Sequence, residues 1–201
     1  MILVAATTNT GKLRELYDLL ALPGLTLGSL ADFSAAAPVE ETGDTFLANA
    51  RLKAHAAARH TGLPALADDS GLEVDALGGL PGVRSARFAA DAGAGRGDAA
   101  NLRHLLARLA AVAAPARTAR FRCALVVAQP DGREISAEGT CEGRIATAAR
   151  GQRGFGYDPL FVADGLYRTF AELDAAEKAR HSHRARAIAT LRPQLARFLV
   201  A

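Results

Sequence analysis

Between Thr118 and Ala128 the residues Phe121, Cys123, Leu125 and Val127 fall on every second position, Pro130-Asp131-Gly132 reverses the chain, and Ile135 and Ala137 resume the alternation. A period of two puts successive side chains on opposite faces of a strand, so the pattern predicts a long antiparallel hairpin. A second pattern stands against an all-antiparallel fold. Ile2-Leu3-Val4-Ala5-Ala6 is a compact β run, Thr7-Thr8-Asn9-Thr10-Gly11-Lys12 follows directly, and Leu13, Leu16, Tyr17 and Leu20 then recur at i, i+3, i+4 and i+7. That is strand, polar turn and amphipathic helix. A hairpin beside a βα unit restricts the chain to an α/β fold with a mixed central sheet and flanking helices.

The rest of the chain fits this frame. Asp44 or Thr45 caps a helix through about His60, with Phe46, Ala50, Lys53, Ala54 and Ala57 near one face and Gly62 as its stop. Leu72-Glu73-Val74 reads as a short strand, and Gly78–Gly82 as a turn. Asp98 caps a helix whose stripe is Leu102, Leu105, Leu106 and Leu109. Residues 150–158 form a glycine-rich loop, Asp174 and Glu177 a capping pair, and Ser182 the cap of a last helix that Pro193 kinks or restarts.

At 201 residues the chain suits one well-buried domain, and with 50% apolar and 22% charged residues it is not a disordered segment. No apolar run approaches the roughly 18–20 residues that span a bilayer, and Ile2–Ala6 is too short for a signal-peptide core, so a cytoplasmic protein is expected. Cys123 and Cys141 match neither a disulfide framework nor a zinc site and read as buried thiols. A net charge of +3 with dispersed arginines argues against a nucleic-acid surface, while suiting a polyanionic small molecule.

Residues 65–72 read Ala-Leu-Ala-Asp-Asp-Ser-Gly-Leu, an apolar run ending in adjacent carboxylates. Open α/β sheets place ligands at strand ends, and two acids there suit a hard cation with a phosphate substrate. Alone, the motif reads as an exposed Asp-Asp turn with a Ser-Gly bend. The turn Thr7–Lys12 offers free N–H groups, a positive helix end and a mobile ammonium to an anion, and taken alone an N-capped surface helix explains it equally well. Of 24 basic residues only Lys12, Lys53 and Lys178 are lysine, the compact point charge.

Five blocks then occur in one order: Thr7-Thr8-Asn9-Thr10-Gly11-Lys12, Glu40-Glu41-Thr42-Gly43, Asp68-Asp69-Ser70-Gly71-Leu72, Gly154-Phe155-Gly156-Tyr157-Asp158-Pro159 and Ser182-His183-Arg184. In this order and spacing the chain resembles the inosine triphosphate pyrophosphatase family, the Ham1-like non-canonical purine nucleoside triphosphatases, from residue 2 to about residue 195.

The resemblance implies an elongated two-lobed fold with a central substrate cleft, a homodimer, and Mg²⁺-dependent cleavage of ITP, dITP or XTP to monophosphate and pyrophosphate. It implies Asp69 as proton acceptor and metal ligand and Glu40 as the second ligand. Lys12, the turn Thr7–Gly11 (Thr7, Thr8, Asn9, Thr10, Gly11), Lys53 and Ser70 would meet the phosphate end. It implies Phe155 and Tyr157 as a stacking platform flanking Gly156, with Asp158 and Lys178 at the base and His183 and Arg184 on its 6-oxo edge. Without it, Glu40-Glu41 is favourable charge before a helix, Phe155 and Tyr157 anchor a turn, Lys53 is an exposed helix lysine, and His183-Arg184 is solvated surface. Arg168 stands where the family often carries lysine. A non-catalytic nucleotide-binding module of the same fold, or a pyrophosphatase for other modified nucleotides, are the alternatives.

Overall fold

The computed structural model describes residues 1–33 and 39–200. Its six strands are β1 Ile2–Ala5, β2 Thr26–Ser29, β3 Ala65–Val74, β4 Thr118–Ala128, β5 Glu134–Ile145 and β6 Phe161–Ala163, in the sheet order β2-β1-β3-β4-β5-β6. β1 pairs in parallel with β2 and with β3, and β5 pairs antiparallel with β6, so the sheet is mixed as expected. At the hairpin turn the Gln129 N–H donates to Arg133 O at 2.8 Å.

The helices are α1 Thr10–Leu19, α2 Phe46–Thr61, the short α3 Phe88–Asp91, α4 Asp98–Arg108, α5 Ala175–His181 and α6 His183–Val200. α2 begins where Thr45 accepts the Ala48 N–H on its hydroxyl, a contact whose loss costs about 1 kcal/mol in a typical helix. It stops at Gly62, whose φ of 68° closes the helix in the left-handed conformation glycine adopts without strain. Gly97, not Asp98, is the N-cap of α4, and the Asp98 carboxylate instead accepts the Gly156 N–H at 2.6 Å. Just past the end of α4, Arg117 donates to the carbonyls of Leu109 and Val112, both at 2.9 Å. α6 runs through Pro193 without interruption, so proline neither ends nor restarts it.

The single domain expected from length divides into two compact units, each assembled from separate chain segments. The first comprises Met1–Asp69, Cys123–Gly139 and Arg184–Ala201, and the second Ser70–Arg122 and Thr140–His183. Leu3, Leu16, Leu66, Leu125, Val127, Ile188, Leu191 and Leu195 fill the first core, each worth about 1.5–3 kcal/mol of apolar burial. Of the expected α1 stripe, Leu16 and Leu20 join this core while Tyr17 faces solvent. Leu72, Leu105, Leu109, Phe121, Leu160, Phe161 and Phe170 build the second, where Phe161 meets Phe170 edge-on at 5.1 Å. Cys123 and Cys141 are buried thiols outside any disulfide, one in each unit. Among the described residues no helix is long and apolar enough to cross a membrane.

Candidate active site

β3 is one continuous ten-residue strand, so Asp68 and Asp69 lie inside it rather than in a turn at its end. The strand-end expectation holds for its neighbour instead. β1 stops at Ala5, opposite Leu66, and the Ala6 N–H makes a last bond to Leu66 O at 2.7 Å. β3 therefore carries its two carboxylates past the final residue of β1, where the chain turns through Thr7–Asn9 into α1.

Asp68 and Asp69 point to different partners, as alternation along a strand requires. Asp68 is buried and accepts from the ammonium of Lys12 at 2.7 Å and from Arg184 Nε at 2.7 Å. The Cys123 thiol donates to the same carboxylate at 3.2 Å. Burial works against the Asp68 charge, yet Arg184 and Lys12 outweigh it and hold the carboxyl well below its ordinary range. Asp69 accepts from Lys53 Nζ at 2.7 Å and, more weakly, from Asn49 Nδ2 at 3.4 Å. Here burial wins over Lys53, and the Asp69 pKa is raised. Adjacent acids whose environments drive their proton affinities apart are a recurring signature of acid–base sites.

Lys53 also donates to Glu41 Oε1 at 2.8 Å and to the Asp68 carbonyl at 2.9 Å. Burial disfavours its charge, but Asp69 and Glu41 together raise its pKa. Glu41, rather than Glu40, is thus the acid brought to Asp69; Glu40 is exposed. Three hard oxygen donors converging on one ammonium suit a hard divalent cation, which takes few protein carboxylates and completes its shell with water and phosphate. Among the described residues no cluster of three or more His, Cys, Asp and Glu is gathered for a metal.

At the start of α1 the Asn9 carboxamide accepts the Lys12 N–H at 3.0 Å, and Thr7 Oγ1 accepts the Asn9 N–H at 3.2 Å. Thr8, Asn9 and Thr10 are exposed, and Thr7, Gly11 and Ser70 partly so. The turn is therefore open to an anion at the positive end of the helix.

A separate group lies in the second unit. Asp158 is buried and accepts from the Phe155 N–H at 2.9 Å and from the ammonium of Lys178. Lys178 Nζ also sits 4.9 Å from the centroid of the half-buried Phe155 ring. Gly154 has φ 73°, and a Cβ there would lie 2.0 Å from Asp158 Oδ2. His183 is buried and stacks on Phe121, with centroids 4.7 Å apart and planes 15° from parallel.

Two expectations for this group are corrected. Tyr157 is no platform: it is buried in the second core, and its hydroxyl donates to Ser85 O at 2.9 Å, because that core has room for a ring and the carbonyl satisfies its polar tip. Arg184 is not the solvated surface that a lone His-Arg pair suggests. Only 1% exposed, it gives Nε to Asp68 and Nη1 to Glu15 within the first unit, where a carboxylate buried at the strand needs a cation. Arg168 is exposed and forms a surface pair with Glu177 at 2.7 Å.

Sequence reading missed Glu15, Asn49 and Cys123 as parts of this network. Asn49 had a signal, being a polar residue one turn beyond Phe46 on the apolar face of α2; it is buried and also takes the Gly43 N–H at 2.7 Å. Glu15 had a weaker one, its i+3 spacing from Lys12.

The Ham1 family model matches residues 3–194, nearly the whole chain. The chain belongs to the Ham1 family. Ham1 relatives include the dITP/XTP pyrophosphatase of Desulforamulus reducens, 52% identical over 94% of this chain and 92% of that protein. A dITP/XTP pyrophosphatase of Thermus thermophilus is also 52% identical, over 95% of this chain and 90% of that one. Among solved structures, a HAM1 protein from Coxiella burnetii superposes with a TM-score of 0.86 at 40% identity, covering 98% of this chain and 99% of that one.

Proposed function

We propose that this Ham1 protein hydrolyses non-canonical purine nucleoside triphosphates, dITP, XTP and ITP, to the nucleoside monophosphate and pyrophosphate, and so cleanses the nucleotide pool. Relatives about half identical over nearly their full length carry the name dITP/XTP pyrophosphatase, which supports the substrate class. The observation that carries the chemistry is the divided pair on β3: Asp68 tied to Lys12 and Arg184, and Asp69 with a raised pKa beside Lys53.

In this reading Lys12 and the N–H groups of the Thr7–Gly11 turn bind the triphosphate and neutralise its charge. Asp69 takes a proton from a water as its oxygen bonds to the α-phosphorus, and the bond from that phosphorus to the bridging oxygen breaks to release pyrophosphate. Asp69 and Glu41 would hold a divalent cation, Mg²⁺ in this proposal, which supplies charge neutralisation on the phosphates. Lys53, held between the same two acids, is placed to shift to a phosphate oxygen. In the second unit Phe155 offers a face for the purine, Lys178 and Asp158 its polar edge, and His183 a reader of the 6-oxo group. The family match spans segments of both units, so the chain is read as one functional domain, and a homodimer belongs to the same proposal.

Incubation with ITP and Mg²⁺, assaying pyrophosphate and orthophosphate separately, tests the reaction. Pyrophosphate is expected from ITP, dITP and XTP and little from ATP; orthophosphate in its place overturns the bond choice.

A further inference from the structure

In the second unit two carboxylates hold the peptide groups on either side of Phe155. The Phe155 N–H donates to Asp158 Oδ2 at 2.9 Å, and the next N–H, that of Gly156, donates to Asp98 Oδ2 at 2.6 Å. Peptide groups are planar, so holding the one before a residue and the one after it fixes both backbone torsions between them. The direction in which the Phe155 ring leaves the chain is thereby set. Asp158 acts from within the same loop. Asp98 comes from the first turn of α4, 58 residues away.

The loop 154–158 needs such a hold, because Phe155 lies between Gly154 and Gly156, at φ of 73° and 60°. Glycines have more conformers to lose than any other residue. One side of the loop is tied by backbone bonds, Arg153 N–H to Ala171 O and Ala171 N–H to Asp158 O, both at 3.1 Å. On another side the Tyr157 hydroxyl donates to Ser85 O at 2.9 Å, and Asn101 Nδ2 donates to the same carbonyl at 3.3 Å. Asp98 and Asn101 stand three residues apart on α4. That helix therefore grips the loop directly through Asp98 and, through Asn101, braces the turn Gly82–Arg87 on which Tyr157 rests.

A simpler role exists for Asp98. An acid in the first turn of a helix stabilises it without a partner. Such a charge has no need of a loop amide, yet the Asp98 carboxylate takes one in a charge-assisted bond.

Resting on the pyrophosphatase reading above, we propose that Asp98 is a positioning residue for base binding, which holds the loop 154–158 so that the Phe155 ring presents its face to the purine. Its effect falls on binding and not on the chemistry of the triphosphate, which the reading gives to residues of the first unit. Stacking a base on an aromatic ring is worth on the order of ten- to a hundredfold in affinity, and this caps what Asp98 contributes through Phe155.

The test sets Asp98→Ala and Asp98→Asn against the wild type at a temperature where circular dichroism shows all three folded. Asp98 is exposed, so neither substitution empties a core. Asp98→Ala removes the acceptor, and the KM for ITP is expected to rise about tenfold with kcat within about twofold. Asp98→Asn loses the helix-end charge but keeps an oxygen for the Gly156 N–H, so its KM is expected within about threefold of the wild type. On a Phe155→Ala background, Asp98→Ala is expected to add less than about twofold, because its effect runs through that ring. Wild-type KM in Asp98→Ala overturns the proposal and leaves Asp98 a helix-end charge. So does a KM raised as much by Asp98→Asn as by Asp98→Ala, or a full further loss on the Phe155→Ala background. If the wild type releases no pyrophosphate from ITP, the pyrophosphatase reading fails by itself. The positioning role is then judged by calorimetry with inosine monophosphate. Weaker binding in Asp98→Ala than in Asp98→Asn sustains it, and equal binding in both, or none to the wild type, overturns it.

Discussion

Lys53 Nζ lies 2.7 Å from Asp69 Oδ1, joining two residues sixteen apart in the chain, one on α2 and the other on β3. The contact fixes which way the Asp69 carboxylate faces, and its consequences set the first prediction. Asp69→Asn keeps the side-chain volume and a carbonyl oxygen for Lys53 but removes the charge. Turnover of ITP is expected to fall by about 10²–10⁴ with the circular dichroism spectrum unchanged. A loss below tenfold at saturating Mg²⁺ shows that Asp69 is not the base.

Divalent cations are expected to be required for turnover and not for folding. The fold is held by two apolar cores, and among the described residues no three-ligand cluster ties segments together through a metal. Adding a chelator is expected to stop pyrophosphate release and leave the melting temperature in place, with Mg²⁺ restoring activity. Undiminished turnover in chelator removes the cation from the proposal.

Phe155 and His183 are expected to fail in different ways. Stacking is indifferent to exocyclic groups and contributes about 1–3 kcal/mol per base, so Phe155→Ala weakens ITP, XTP and ATP alike. His183→Ala narrows the ITP-over-ATP ratio, because a donor to the 6-oxo group also rejects an amino group in its place. Equal proportional losses from the two variants sink the edge-reading role of His183.

Gly154→Ala places a Cβ 2.0 Å from Asp158 Oδ2 on a backbone with φ 73°. The carboxylate must leave the Phe155 N–H and the Lys178 ammonium to make room. The melting temperature is expected to drop by about 2–6 °C from the left-handed strain, with kcat/KM for ITP down about tenfold or more. Wild-type kcat/KM in this variant shows that the Asp158–Lys178 pair has no part in recognition.

The acid-stability prediction concerns Glu134, which accepts from Arg51 Nε and pairs with His55 Nε2, both at 2.7 Å. Partial burial raises its pKa, but the hydrogen bonds from His55 and Arg51 outweigh this, and the net shift is downward. A carboxyl with a lower pKa in the folded than in the unfolded chain stabilises above the unfolded value, about 4.3, and loses that contribution as the pH falls through the folded one. Glu134→Gln is expected to melt about 1–3 °C below the wild type at pH 7, the two converging below pH 4. A gap that widens in acid contradicts the sign of the shift.

Several elements were legible because one local signal was enough to specify them. Helix α2 needs only the Thr45 cap, its apolar face and Gly62, all adjacent in sequence, and the structure reproduces each. The hairpin of β4 and β5 follows likewise from alternation across one turn. At the site, the nearness of Lys12 to the Thr7–Gly11 turn is written into the chain, and the resemblance supplied the pairing of that turn with Asp68 and Asp69. Tyr157 was not legible in this way. An aromatic beside two glycines reads the same whether it faces a ligand or a core, and the Ser85 carbonyl that satisfies its hydroxyl comes from 72 residues away.

The sequence by itself determined the mixed α/β class, the family, and the candidate acids and lysines, since periodicity and ordered residue types are properties of neighbours along a chain. Only the tertiary structure decided which acid each lysine meets. It gave Glu41 rather than Glu40 to Lys53, and enclosed Arg184 against Asp68 and Glu15, residues 116 and 169 positions away. It also gave the adjacent carboxylates opposite shifts. Charge pairing and burial depend on distance through space and on exclusion of water, and neither exists until distant segments pack.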